Sequence, residues 1–327
     1  MRRCFSMSYP RRLYVPPDVP GLYHCVSRCV RRAFLCGNDP VTGRSFAHRK
    51  QWVENRILQL ADIFAVAVHA YAVMSNHFHV VVEIDPTATE AWSNEEVARR
   101  WLALGGVSNA PETIMEARVA ALVDQPGRLT LLRKRLGNLS WFMRCLNEPI
   151  ARRANREDDC TGRFWEGRFA CQALLDETAV LSCMAYVDLN PVRAGVVATP
   201  ESGPYTSIRR RVRVSASHGP DLRPIASSIR SWEPPLTTSQ YLALVDWTGR
   251  TLHLAKKDVI PPDVPPILER LSMRSKQWLT QVPATESRYW RAIGRSDAML
   301  ARAESSGLKW LRGIGLARML ARAEPAI

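Results

Sequence analysis

Two histidines lie two residues apart in a segment that has the composition of a β-strand. His77 and His79 flank Phe78 at the start of the run 77–84 (HFHVVVEI). Because side chains alternate along a strand, both imidazoles face one side of a sheet and Phe78 faces the other. Histidine is the commonest protein metal ligand, and a cation held by this pair would polarise a phosphate oxygen. Two polar histidines on a sheet face are the alternative, which an isolated HxH motif favours.

A second pair of polar residues lies four positions apart in a segment with helical spacing. Tyr186 and Asn190 therefore face the same side of a helix. The tyrosine phenol is a candidate covalent nucleophile, and its attack on a phosphodiester would conserve the bond energy in a phosphotyrosine. The amide oxygen of Asn190 is a candidate third metal ligand. A lone tyrosine in a helix is more often a core aromatic, so this interpretation depends on the histidine pair.

The chain is strongly basic. Its 45 lysines and arginines against 31 acidic residues give a net charge of +14. Most of the basic residues are arginines, whose planar guanidinium suits bidentate contact with phosphate. Basic pairs and runs recur along the chain, at 2–3, 11–12, 31–32, 99–100, 133–135, 152–153 and 209–213. We therefore expect a nucleic-acid partner, with a merely solvated basic surface as the alternative.

Composition excludes several classes of protein. The 327 residues are 46% hydrophobic and 23% charged, which is typical of a soluble globular chain. There is no uninterrupted apolar stretch of about 18 residues, and residues 1–5 lack the apolar region of a signal peptide. We expect a cytoplasmic protein without a membrane partner, associated with the nucleoid if it binds DNA. The eight cysteines form no CxxC pair, which argues against a zinc knuckle or a disulfide scaffold.

Alternating and helical patterns predict the elements that must position these residues. Strands are predicted at 21–29, 65–75, 77–84 and 164–174, the middle two either joined by a tight turn or forming one long bent pair. Helices are predicted at 51–64, 90–104 and 177–189, with one or two more inside 131–156. This order indicates the α+β class, an antiparallel sheet with helices packed on one face.

The amino-acid composition changes near residue 200, and this change predicts three regions. Residues 1–200 form the main domain, and 201–236 read as a basic linker rich in serine and proline. Residues 237–327 are predicted to form a small helical appendage, because MLARAE occurs at both 299–304 and 319–324. The basic residues of this region predict either a second DNA contact or a solvated helical cap; they are Arg295, Arg302, Lys309, Arg312 and Arg318.

Four short motifs together resemble a known family. They are YHCVSR at 23–28, NHFH at 76–79, GRFWEGRF at 162–169 and YVDLNPVRAG at 186–195. In this order they are similar to the REP-associated tyrosine transposases, a branch of the single-tyrosine HUH transposases. The resemblance spans about residues 10 to 200, and its motifs are specific only in combination. It implies that residues 1–200 are the catalytic domain.

The resemblance implies a ferredoxin-like sheet that carries the two histidines on a central strand. His77, His79 and Asn190 would bind Mg²⁺ or Mn²⁺, and Tyr186 would cut single-stranded or hairpin DNA. The products would be a 5′-phosphotyrosine and a free 3′-hydroxyl, which later rejoin. Asparagine as the third ligand agrees with the REP-associated branch, because the insertion-sequence branch usually has glutamine.

Several residues near the motifs are candidate DNA contacts. Arg28, Arg163, Arg168 and Arg193 could hold phosphates, and Trp165 could stack on an unpaired base. A core position is the alternative for Trp165, and it is the commoner one for such an aromatic residue.

Two further residues have open assignments. His24 and Arg28, both on the first predicted strand, could face the same cleft as the motif residues, but the sequence does not decide it. Glu83 is in phase with the histidine pair and is a candidate acid to assist the phenol, with a structural role as its equal alternative.

Three rival functions stay open at the level of sequence. One is a DNA-binding module that has kept the fold and lost cleavage, and another is a regulator that marks repeats by tight, salt-sensitive binding. The third is a metal-dependent hydrolase that uses water, which would leave Tyr186 unexplained. Neither the DNA sequence recognised nor the choice between monomer and homodimer can be read from these residues.

Overall fold

A six-stranded sheet organises the chain in the computed structural model, which describes residues 11–30, 36–38, 43–105, 111–214, 221–254, 268, 273–287 and 291–322. Its strand order is β5-β2-β3-β1-β4-β6, and every pair is antiparallel except β4 with β6. The strands are β1 Gly21–Arg28, β2 Val66–Val73, β3 His77–Ile84, β4 Ala170–Leu174, β5 Ala226–Ser227 and β6 Ala292–Ile293.

The helices fall between and after these strands. They are α1 Arg49–Ile63, α2 Asn94–Ala103, α3 Glu112–Val123, α4 Pro126–Leu136, α5 Leu139–Glu157, α6 Glu177–Asp188, α7 Asn190–Arg193, α8 Ser207–Val214, α9 Thr238–Leu254, α10 Ser275–Ala284, α11 Ser296–Ser305 and α12 Ile314–Arg322. Short 3₁₀ turns occur at Arg11–Leu13, Pro86–Ala91 and Pro200–Ser202. In the part of the chain that the structure describes, every helix is too short or too polar to cross a lipid bilayer.

The predicted α+β class is confirmed. The four central strands follow the order β2-β3-β1-β4, with α1 between β1 and β2 and α2 to α5 between β3 and β4, which is the ferredoxin-like arrangement. The middle strands are joined by a tight turn at 74–76 rather than forming one bent pair. The strand predicted at 164–174 begins only at Ala170, because 164–169 runs irregularly past the end of β1, where Trp165 bridges Cys29.

Helices cover both faces of the sheet. Phe78, Val80 and Val82 point into a core shared with α1 and α5, whereas Val81 points into a second core against α6. The predicted layer on one face is therefore formed by α1 and α5, and α6 adds a layer on the other. His77 and His79 have the same phase as Val81, so they lie on the α6 side.

A β-bulge in β2 changes which side chains of that strand face each of the two helix layers. The register with β3 shifts between Val68 and Ala70, so one extra residue, His69, enters the strand. On one side of the bulge Val68 faces α1, and beyond it Ala70 and Ala72 face α6. Because alanine is small, α6 can approach β2 closely there. The bulge thus lets the sequence VAVHAYAV supply large residues to one core and small residues to the other.

Helix α6 is held at both ends. Asp176 caps its N-terminus and accepts a hydrogen bond from the backbone N–H of Ala179. At its C-terminus the buried Asp188 carboxylate accepts hydrogen bonds from the Ser207 hydroxyl, from the Ile208 N–H at 3.0 Å and from the Tyr241 hydroxyl at 2.6 Å. The residues after 200 therefore help to fix the position of α6.

The regions predicted as linker and appendage contact the main sheet. Within 201–236, α8 packs on β2 and β5 pairs with its edge, while 215–220 lie outside the described residues. Within 237–327, α9 and α10 pack on α6, and β6 pairs with β4. The predicted short helices are present, since α11 contains the first MLARAE copy and α12 contains the second as far as residue 322. The boundary near residue 200 stays a prediction.

We expect Tyr241→Phe to lower the free energy of unfolding. The substitution removes one hydrogen bond to a buried carboxylate, which contributes about 1.5–3 kcal/mol. Urea denaturation followed by circular dichroism measures the change. Tyr205→Phe is the matched control, because the Tyr205 hydroxyl has no hydrogen-bond partner among the described residues. Equal stabilities for the two variants would contradict the role given to Asp188.

Candidate active site

A cleft of about 830 Å³ opens on the α6 side of the sheet, where β1 ends and β3 begins. Its walls come from the central strands, from α6 and α7, from the segment before β4, from the turn after α10 and from the N-terminal residues. Its lining includes Arg11, Tyr14, His24, Arg28, His77, His79, Glu166, Arg168, Gln172, Tyr186, Asn190, Arg193, Thr285, Glu286, Ser287 and Arg291. All four residues proposed for the chemistry, His77, His79, Tyr186 and Asn190, are among them.

The histidine pair occupies the start of β3 as the alternation predicts. The ring centres of His77 and His79 are 4.9 Å apart and the planes are nearly perpendicular, at 76°. His77 is half-buried and His79 is buried. The Nδ1 of His77 lies 2.6 Å from the side-chain oxygen of Asn76, an acceptor, so Nδ1 carries the proton and Nε2 the lone pair in the neutral ring.

Asn190 meets the pair from the start of α7. Its amide nitrogen lies 3.4 Å from Nε2 of His79. Two ligands of one ion, each about 2.1 Å from it, are separated by about 3.0–3.4 Å when they meet at 90–110°. A half-turn of the amide exchanges nitrogen for oxygen, so the Asn190 oxygen can take that ligand position.

The side chains of His79 and Asn190 are thus spaced as two ligands of one divalent cation would be, and the His77 ring lies beside them, 4.9 Å from the His79 ring. Among the described residues no group of three or more His, Cys, Asp or Glu side chains is placed to hold a metal. His77, His79 and Asn190 are a different kind of donor set, because none of the three carries a negative charge when both rings are neutral. Any negative charge at the ion would come from outside these three residues.

Tyr186 projects from α6 toward the same point. Its ring centre is 5.7 Å from that of His79, and only 4% of the residue is exposed. Burial, reinforced by the Glu286 carboxylate, raises the pKa of Tyr186 to about 12, although Arg193 and a hydrogen bond with Asn190 act in the opposite direction. The phenol is therefore protonated at neutral pH, and an attack by its oxygen requires the proton to leave during the reaction.

Two buried polar residues, His24 and Gln172, extend in a hydrogen-bonded row from the Nδ1 side of His79. The Nε2 of His24 lies 2.9 Å from Nδ1 of His79, and the Nδ1 of His24 lies 2.8 Å from the Oε1 of Gln172. Burial lowers the pKa of His24 to about 4, against a smaller effect of Gln172, and burial together with nearby positive charges holds the pKa of His79 well below its usual value. Strand alternation places His24 on the face of the histidine pair, but sequence reasoning did not assign it a role.

Arginines surround the opening of the cleft. Arg28, Arg168 and Arg193, three of the arginines predicted to contact DNA, line it together with Arg11 and Arg291. The guanidinium of Arg193 lies 4.9 Å from the centre of the Tyr186 ring. The signal for Arg11 was present in the sequence as the basic pair at 11–12, whereas nothing in the local sequence marked Arg291.

The C-terminal region supplies part of the wall. Thr285, Glu286 and Ser287 follow α10, and the Glu286 carboxylate pairs with the Arg193 guanidinium at 3.0 Å. The backbone oxygen of Ser287 accepts a hydrogen bond from the Gln172 amide at 2.9 Å. The predicted appendage therefore lines the candidate site itself, in a way that no motif indicated.

Two of the predicted DNA contacts lie outside this cleft. Trp165 is buried between Phe78 and Phe164, with ring centres 5.7 and 4.9 Å away, and its indole N–H donates to the backbone oxygen of Asn147. This is the core position that was the alternative for Trp165. Arg163 is exposed in the turn before it.

Glu83 also lies outside the cleft, four residues beyond His79 on β3. Its carboxylate contacts Nε2 of His69 at 3.2 Å and accepts a hydrogen bond from the backbone N–H of Trp232 at 2.9 Å. Four strand residues span about 13 Å, so the carboxylate does not reach the phenol of Tyr186. These contacts fit the structural role that the sequence left open.

No protein-family model and no curated protein matches the chain. A solved structure of a REP-associated tyrosine transposase bound to a REP hairpin is similar over 71% of this chain and 97% of that chain, with 13% sequence identity and a TM-score of 0.40. At this identity and TM-score the likeness transfers no property of that protein to this chain.

Proposed function

We propose that this chain is a metal-dependent strand transferase for single-stranded DNA, in which Tyr186 becomes covalently linked to a 5′-phosphate. One observation carries the proposal. Tyr186 and Asn190 lie more than a hundred residues from His77 and His79 in the sequence, yet all four meet in one arginine-lined cleft. A phenol beside side chains that can hold a metal ion is an arrangement suited to phosphotyrosine chemistry.

The reaction exchanges one phosphate ester for another. The phenol oxygen of Tyr186 attacks phosphorus, the bond from phosphorus to the 3′-oxygen breaks, and the 3′-oxygen takes up a proton as the phenol loses one. Rejoining is the reverse, with a 3′-hydroxyl attacking the phosphotyrosine and the phenol leaving with its proton. Because the ester is conserved, no external energy source is needed.

His77, His79 and Asn190 would hold Mg²⁺ or Mn²⁺ beside the phosphate. Such an ion, when bound, polarises a phosphate oxygen and offsets the negative charge that builds up during displacement. The three side chains would position the ion and add no negative charge, because imidazole and amide ligands are neutral. The positive charge of the ion would therefore stay available to a phosphodiester. Arg193 places a guanidinium next to the tyrosine ring, where the Glu286 carboxylate pairs with it in the absence of DNA.

The arginines and the shape of the cleft favour DNA in single-stranded form. Arg11, Arg28, Arg168, Arg193 and Arg291 would contact successive phosphates along its walls. Tyr186 is almost fully buried at the base of the cleft, where a flexible single strand can bend inward and a stiff duplex cannot. Single-stranded DNA is therefore the substrate we propose, and the motif resemblance adds hairpins with single-stranded flanks.

A non-catalytic DNA-binding or regulatory protein is the rival proposal. It would use the same arginines but would have no need for His77, His79 and Asn190 around a tyrosine. Formation of a covalent adduct between protein and DNA distinguishes the strand transferase from this rival.

We expect a labelled single-stranded or hairpin oligonucleotide to become covalently attached to Tyr186 in the presence of MnCl₂. Denaturing gel electrophoresis detects the adduct, and mass spectrometry of the digested protein locates it. Tyr186→Phe should abolish the adduct, because phenylalanine keeps the ring and removes the attacking oxygen.

Tyr14→Phe is the matched control, since Tyr14 is the other tyrosine in the cleft lining. This variant should form the adduct at the wild-type rate. An adduct that follows Tyr14 would show the nucleophile to be misassigned, and DNA binding without any adduct would establish the rival proposal.

We expect His77→Ala to slow adduct formation by at least about 100-fold, the scale of losing one element of charge stabilisation in a transition state. His77 is half-buried, so the folded state should persist, as thermal unfolding would verify. His48→Ala provides the control, because His48 is an exposed histidine paired with Glu157 away from the cleft. A wild-type rate for His77→Ala would remove the metal from the mechanism.

We expect Arg168→Ala to weaken binding to single-stranded DNA and to flatten its dependence on salt. Losing one phosphate contact should reduce the slope of log K against log salt concentration by about 0.7. Fluorescence anisotropy between low and moderate salt measures it. Arg152→Ala, on the exposed side of α5 where Arg152 pairs with Glu148, should leave the slope unchanged. Equal slopes for both variants would place the DNA elsewhere.

A further inference from the structure

Three buried polar side chains form a row across the middle of the sheet. His79 is on β3, His24 on the adjacent β1 and Gln172 on β4 beyond it. His24 lies directly opposite Gln172 in the register, and His79 lies diagonal to His24, opposite Val26. The rings of His24 and His79 are nearly parallel, with 10° between their planes. The row ends at the backbone of Ser287 in the turn after α10.

The direction of every hydrogen bond in this row follows from its outer end. The Ser287 oxygen can only accept, so the Gln172 amide nitrogen donates to it at 2.9 Å. The Gln172 oxygen then faces Nδ1 of His24, which must donate at 2.8 Å. This leaves a lone pair on Nε2 of His24, and Nδ1–H of His79 donates to it at 2.9 Å. Nε2 of His79 is left with its lone pair directed toward Asn190.

The opposite direction is excluded by the same contacts. Turning the Gln172 amide around would place its oxygen against the Ser287 oxygen, which brings two acceptors together. A doubly protonated His24 would be a buried cation, since only 2% of the residue is exposed. Within the described part of the chain no carboxylate contacts it, so that charge would be uncompensated.

We propose that His24 and Gln172 are positioning residues that fix His79 as the Nδ1-protonated tautomer. This role rests on the proposed function, because the Nδ1-protonated tautomer directs the Nε2 lone pair of His79 toward the ion that His77 and Asn190 would also hold. Histidines that bind metals usually donate their second N–H to a carboxylate, a backbone carbonyl or water. Here the acceptor is a neutral imidazole, which orients the ligand without adding negative charge beside the phosphate.

The proposal predicts the tautomer of His79 in the metal-free protein. The full chain labelled with ¹⁵N-histidine should give long-range ¹H–¹⁵N spectra in which His79 is protonated at Nδ1 and unprotonated at Nε2. The His79 signals are those that His79→Gln removes. Signals of an Nε2-protonated His79 in the wild-type protein would overturn the proposal.

Substitutions of His24 test the positioning role. His24→Leu removes the acceptor, so His79 should become a mixture of tautomers and the Kd for Mn²⁺ should rise by about 10- to 100-fold. His24→Gln should restore both, because an amide can accept from His79 and donate to Gln172. Electron paramagnetic resonance of free Mn²⁺ during titration with MnCl₂ alone measures the Kd without any reaction.

Two further variants guard against a purely structural effect. Gln172→Leu leaves His24 in place but removes the group that sets its direction, so it should also mix the His79 tautomers. His69→Gln alters another buried histidine of the sheet, on β2, and should change neither the His79 signals nor the Kd. An unchanged Kd in His24→Leu, or an equal rise in His69→Gln, would overturn the positioning role.

Failure of this inference is distinguishable from failure of the proposed function. A wild-type protein that forms the Tyr186 adduct while His79 is protonated at Nε2 would contradict only the positioning role of His24 and Gln172. A protein that shows the predicted tautomer but forms no adduct would contradict only the strand-transferase proposal.

Discussion

The register between β1, β3 and β4 is the constraint on which the rest of the structure depends. Side chains alternate between the two faces of each strand, so the pairing decides as a set which residues enter the core and which enter the cleft. With the observed pairing, Phe78 and Val80 enter the core under α1 and α5, and the histidines face α6. A slip of β3 by one residue would bury two imidazoles in an apolar core and expose Phe78.

The second requirement is that a tyrosine on a helix reaches the strand histidines. Helix α6 lies close to the sheet because Ala70 and Ala72 offer it little bulk, and Asp188 holds its end two residues after Tyr186. One partner of Asp188 is Tyr241, far along the chain. Residues after 200 therefore belong to the mechanical support of the candidate nucleophile as well as to the cleft wall.

The electrostatics of the cleft combine a neutral interior with a basic rim. Burial keeps the pKa values of His24 and His79 low, so the row behind the candidate metal site carries no charge at neutral pH. The arginines of the lining are half-buried or exposed, so solvent reduces the cost of their charge, and Glu286 pairs with Arg193 beside the Tyr186 ring. A phosphodiester would thus meet positive charge at the opening and then a candidate metal site whose own side chains carry no negative charge.

The sequence by itself determined the features that arise from local geometry. A period of two placed His77 and His79 on one face, helical spacing placed Tyr186 near Asn190, and the order of strands and helices indicated the α+β class. These patterns are readable because backbone sterics act between near neighbours. Only the tertiary structure decided that Gln172 and Ser287 stand behind His24, that Arg291 reaches the cleft and that Trp165 belongs to the core. Such contacts depend on strand order and on packing between distant segments, and packing imposes no regular spacing along the chain.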